Sequence, residues 1–89
     1  MRFEWDTQKA RQNLRKHGVA FDEAVTIFYD ALSATFDDPD HSGNEQRYIT
    51  VGSSSQGRVL VVAHTEAGET VRIISARPAT AHERKRHEG

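Results

Sequence analysis

The chain has 89 residues, a formal net charge of −1 and no cysteine. A length like this supports one domain with a modest core, and the missing cysteine excludes both a disulfide framework and a thiolate metal centre. Near-neutral charge argues against a strongly electrostatic nucleic-acid binder, and no run of residues approaches the length of a membrane span.

Residues 2–5 (RFEW) read as a short first strand. Asp6 then suits a helix N-cap, because its carboxylate can accept from the free amides of the next turn. TQKARQNLRKH follows, with Ala10, Leu14 and His17 at helical spacing and cations between them. Gly18 fits the residue after the helix, where a left-handed conformation costs glycine little. A second helix is expected over EAVTIFYD, capped by Asp22, with Ala24, Val25, Phe28 and Tyr29 as its apolar stripe. Trp5 reads as a core anchor.

LSATF (32–36) alternates as a strand does, and DDPDHSGN is rich in turn residues. RYITVGSS, RVLVVAHT and TVRIISAR read as three strands linked by the hairpin connections SSQG and EAGE. The middle one is apolar at nearly every position, as a strand covered on both faces would be. Pro78 ends the last strand. Thr80 and Glu83 have capping-box spacing, which predicts a short C-terminal helix from Ala81. The resulting order is β-α-α-β-β-β-β-α, an α+β domain with helices packed on an antiparallel sheet. Asp37, Asp38, Asp40 and His41 match no defined metal-loop spacing and are read as a turn.

The segments FEWDTQKARQNLRKHGVAFDEA, EQRYITVG, GRVLVVAHTE and VRIISARPATAHER, in this order, resemble the BrnT family of toxins from type II toxin–antitoxin systems. The resemblance spans essentially the whole chain, and KHGV, GRVLVV and the IISAR-PAT-xxER ending are its most specific parts. It implies a RelE-like fold and RNA cleavage that arrests growth; the lack of cysteine and of an apolar N-terminal run leads separately to the expectation of a cytoplasmic setting. The resemblance also implies neutralisation by a BrnA-like antitoxin with a ribbon-helix-helix domain. Toxin and antitoxin together, as a heterotetramer, would repress their own operon, so this chain meets DNA only through its partner. Two features depart from the family pattern: His87 stands where an aromatic residue is common, and a glutamine separates Glu45 from Arg47.

Metal-free RNA cleavage uses the neighbouring 2′-hydroxyl as nucleophile. A base takes its proton, an acid protonates the leaving 5′-oxygen, and a cation steadies the crowded phosphate. No cofactor is needed. Arginine suits the last task, since its planar fork matches two phosphate oxygens. The candidate catalytic residues are therefore Arg47, Arg72 and Arg77, with His17 and Glu45 as titrating groups. Lys16 and Arg58 are candidates for RNA binding. Each of the five catalytic candidates has a plainer reading. Arg77 can pair with Glu83, Arg72 can guard a sheet edge, Arg47 can pair across strands, His17 can cap helix carbonyls and Glu45 can be a solvated loop carboxylate. Strict alternation puts Arg72 and Arg77 on opposite faces, unless a bulge intervenes. His64 reads as packed or partner-facing. A rival function of another class is a non-catalytic module that pairs with a DNA-binding partner. Direct DNA binding by this chain ranks third, because nothing in it reads as a helix-turn-helix.

Overall fold

The computed structural model describes residues 1–42 and 45–88, without the side chains of residues 40–42. Its elements run in the expected order. Strand β1 (Arg2–Glu4) leads to helices α1 (Thr7–His17) and α2 (Phe21–Thr26), the latter continued by a 3-10 turn (Ile27–Tyr29). Strands β2 (Ala34–Ser42), β3 (Gln46–Ser53), β4 (Val59–Ala67) and β5 (Thr70–Pro78) follow, and helix α3 (Ala81–Glu88) ends the chain. The sheet order is β1-β5-β4-β3-β2. β2 to β5 form an antiparallel meander, and β1 adds to β5 in parallel.

Asp6 caps α1 by accepting from the amides of Gln8 (2.8 Å) and Lys9 (3.0 Å). Gly18 ends it at φ 69°, its amide donating to the Leu14 carbonyl. The stripe that α1 turns inward differs from expectation. Ala10 packs on the core and Asn13 is buried, whereas Leu14 stays 53% exposed. The reason lies at the edge of β5, which β1 pairs only over Thr70–Arg72. Beyond that point the Asn13 amide takes the place of a neighbouring strand. It donates to the Ala76 carbonyl (2.8 Å) and accepts from the Ala76 amide (3.0 Å), with a further bond to the Val19 carbonyl (2.9 Å). A leucine there would leave these buried backbone groups unpaired.

The second helix starts earlier than its sequence suggests, with Ala20 at the N-cap position and Phe21 in its first turn. Phe21, Ala24 and Ile27 enter the core, while Tyr29 remains exposed. Trp5 packs edge-on to Phe21. Gly52 allows the 3-10 turn to lie on β3, because a Cβ there would stand 3.1 Å from the Ile27 carbonyl oxygen and 3.0 Å from the Ser33 Cβ. These contacts build the main core between the helices and one face of the sheet, around Leu60, Val62, Val71 and Ile73. β2 also runs longer than expected. It takes in the DDPDHS stretch with an irregular register between Asp37 and Ser42, and an edge strand can hold the proline there.

The other sheet face carries no long helix. Val59 and Val61 form a smaller cluster there with Ala79, flanked by Ile49 and Val51. α3 lies at one end of this face and contributes no buried residue. It is held by the expected capping box, in which the Thr80 amide donates to Glu83 (2.8 Å) and the Glu83 amide to the Thr80 hydroxyl (3.2 Å).

Candidate active site

One irregularity in β5 arranges the arginines. Ser75 lies opposite Ala63, and Ile73 lies opposite His64, so Ile74 has no partner on β4. This bulge reverses the alternation once. Arg72 therefore faces the same side as Ser75 and Arg77, the face without α1 and α2. Arg72 lies beside Thr65, and Thr65 lies beside Arg47 on β3. Arg47, Thr65 and Arg72 thus form one row across three strands. Arg77 stands beside Val61, four residues back along β4, or about 13 Å from that row.

The members of this face differ in how they are engaged. Arg77 makes a bidentate pair with Glu83, at 2.8 and 2.9 Å. The pair holds the Glu83 carboxyl down at about 2 and raises the Arg77 guanidinium. Arg72 meets Glu4 at 3.6 Å, with both side chains about half exposed. Arg47 is half-buried and makes no ion pair among the described residues. Glu45 is exposed immediately before β3. A groove of about 430 Å³ runs between Arg47's strand and α3, floored by Phe36, Ile49, Val51 and Val61 and bordered by Arg77 and Arg86.

The other candidates lie elsewhere. Lys16 and the half-buried His17 end α1 and border a second cleft against β5. Arg58 precedes β4 and reaches to the helix side. Its Nε donates to Glu23 at 3.0 Å, and its Nη2 donates to Glu23 and to the Gly18 carbonyl. The Ser54 hydroxyl donates to the same carboxylate at 2.7 Å. These donors hold the buried Glu23 carboxyl below its usual range. Arg58 therefore ties the β3–β4 turn to the helices.

His64 is fully buried on the helix side, between Phe28 and Tyr48. Its Nε2 shares a 2.7 Å hydrogen bond with the Thr50 hydroxyl, which in turn bonds Thr35 at 2.8 Å. Its Nδ1 has no hydrogen-bond partner, although the Glu66 carboxylate stands 3.4 Å away. Burial pushes the imidazole down to about 4. No group of three or more metal-ligating side chains occurs among the described residues. Asp40 and His41, considered as part of an acidic loop, have side chains outside the described set.

Sequence reasoning overlooked Thr65 and Asn13. Thr65 carried no motif, and its place between two arginines depends on register. Asn13 carried a faint signal, a polar residue beside the apolar positions of an amphipathic helix.

The family model described as "Ribonuclease toxin, BrnT, of type II toxin-antitoxin system" matches residues 5–83. The chain belongs to this family. Among solved structures, it is similar to the ribonuclease toxin BrnT of Brucella abortus. The two share 23% identity and a TM-score of 0.68, over 90% of this chain and 97% of that one. At that identity the likeness concerns the fold, and the two folds agree over nearly their full lengths. No curated relative matches the chain. Membership in a type II toxin family carries with it an antitoxin partner. No helix among the described residues is long and apolar enough to cross a membrane.

Proposed function

We propose that this BrnT-family toxin cleaves RNA on the sheet face away from α1 and α2, without a metal ion, in the cytoplasm. The observation that carries the reading is the bulge at Ile74, which sets Arg72 on the same face as Arg77 and in line with Thr65 and Arg47. Two guanidinium groups on either side of the buried Thr65 suit a phosphodiester whose negative charge grows as the 2′-oxygen attacks. In this reading Arg47 and Arg72 hold the scissile phosphate. Arg77 joins them when Glu83 releases it. Glu45, two residues before Arg47, is the group proposed to move protons at that phosphate, and His17, the second titrating candidate, stands in the separate cleft at the end of α1. Lys16 binds the RNA backbone, and Arg58 keeps the β3–β4 turn in place. A ribbon-helix-helix antitoxin would neutralise the chain in a heterotetramer and bring it to operator DNA.

The test is expression of the chain without its antitoxin, reading growth and RNA integrity. Wild type should arrest growth and degrade RNA. Arg47→Ala and Arg72→Ala, each verified as folded, should lower cleavage about a hundredfold or more. Glu45→Gln and His17→Gln should separate the two proton-transfer candidates by their effect on the pH–rate profile.

A second reading has its own support. Arg77 and Arg72 both stand against carboxylates, Glu83 and Glu4, as they would in a module that only binds a DNA-binding partner. Intact RNA and normal growth from a folded, expressed wild type would favour that reading.

A further inference from the structure

Helix α1 contains no acidic residue, and its last turn is basic throughout. Positions 9, 12, 13, 16 and 17 form one stripe, because helical neighbours lie three and four residues apart. It reads Lys9, Gln12, Asn13, Lys16 and His17. The stripe borders the sheet edge: Asn13 is buried, His17 half-buried, and Lys9, Gln12 and Lys16 exposed. With Ile74 and Ser75 of β5 it lines a cleft of about 260 Å³. Every polar side chain in this lining can donate a hydrogen bond, and none is a carboxylate. Lys9 and Lys16 make no salt bridge among the described residues. By strand alternation, Ser75 lies on the same face as Arg77 and, across the bulge, Arg72. The cleft therefore opens onto the arginine face at Ser75.

From this geometry we infer that the α1–β5 cleft is a second nucleic-acid subsite, which holds the phosphodiester backbone of the single strand next to the scissile nucleotide. Lys9 and Lys16 are about 10 Å apart along the helix axis, too far for one phosphate and suited to neighbouring ones. Gln12 and Ser75 supply neutral donors between them. The half-exposed β5 edge, closed only by the Asn13 amide at Ala76, leaves room for the backbone to pass. The cleft reads backbone charge, so it adds affinity with little sequence preference. This inference rests on the reading that RNA lies across the arginine row.

The experiment compares wild type with Lys9→Gln/Lys16→Gln and with Arg11→Gln/Arg15→Gln, which removes the same charge from α1 outside the cleft lining. The probe is a labelled all-2′-deoxy oligonucleotide, which has no 2′-hydroxyl to react, titrated at several salt concentrations. Each protein is also assayed on the matching RNA. The cleft variant should bind about tenfold more weakly at low salt, and its salt slope should fall by about 1.4, or 0.7 for each lost phosphate contact. The control variant should change by less than half as much. Equal losses in the two variants, or none in either, would overturn the inference, as would loss of antitoxin binding by the cleft variant alone. If the cleft variant behaves as expected while wild type leaves the RNA intact, the subsite stands and the ribonuclease reading fails. If wild type cleaves RNA and the cleft variant matches it in affinity and salt slope, the ribonuclease reading stands and the subsite does not.

Discussion

Among the described residues there are two bidentate arginine–carboxylate pairs, one on each side of the sheet. On the helix side, Arg58 grips Glu23, whose side chain is only 4% exposed. On the open side, Arg77 grips Glu83, with 42% and 33% of the two side chains exposed. The chemistry is the same and the surroundings differ. Removing Arg58 leaves a carboxylate in the protein interior, whereas removing Glu83 leaves an arginine that water can solvate. The first pair is therefore bound to the stability of the fold, and the second is available to function.

The largest effect should come from Arg58→Ala. It strands the Glu23 charge and frees the Gly18 carbonyl, and loss of one partner of a buried pair costs about 3 kcal/mol or more. Urea unfolding should show it, and adding Glu23→Gln should restore part of the loss. A cost below about 1 kcal/mol would mean that water reaches Glu23 and that the two pairs are alike.

His64 gives the helix side a pH signature. Its imidazole titrates at about 4 when folded and near 6.5 when free. The unfolded chain thus binds more protons between these values, so stability is complete above about 6.5 and declines as pH falls towards 4. The shift corresponds to about 3 kcal/mol. Glu83 on the open side acts in a lower window. Its folded value of about 2 lies below the ordinary 4.5, so the stability it contributes is lost only as pH falls from about 4.5 towards 2. Thermal melts of wild type and His64→Gln across pH 7 to 4 should differ in slope. Parallel curves would mean that His64 does not govern this window.

On the open side, Glu83→Ala should cost about 1 kcal/mol, through the lost capping box and a largely solvated ion pair. The released Arg77 gains a chance to meet phosphate, and the salt slope of oligonucleotide binding should steepen by about 0.7. An unchanged slope would keep Arg77 out of the RNA path.

The two sides also differ in how much of them the sequence disclosed. Element order, the Asp6 and Gly18 caps, the Thr80–Glu83 box and the doubly covered β4 follow from local residue chemistry, and all were legible. The site was legible only as residue types. Its arrangement turns on the unpaired Ile74, and a bulge in a run such as VRIISAR leaves no mark in a pattern of apolar residues. The extension of β2 through Pro39 was hidden for a related reason, since turn-rich composition is tolerated along an irregular edge.

The smallest expected effect tests the same point at α1. Periodicity set Leu14 at helical spacing with Ala10 and His17 and passed over its neighbour Asn13, yet Asn13 is the buried one, bonded to both backbone groups of Ala76. Leu14→Gln should change stability by less than about 0.5 kcal/mol, as exposed substitutions usually do. Asn13→Leu, though it improves the apolar pattern, should cost about 2 kcal/mol by leaving the Ala76 amide and carbonyl unpaired. The ordering of these two values matters more than either alone. A helix that packs on a sheet face needs leucine on its inner stripe, whereas one that closes a sheet edge needs an amide there. If Leu14→Gln proved the costlier change, α1 would be a helix of the first kind, and the cleft beside β5 would be filled by its side chains.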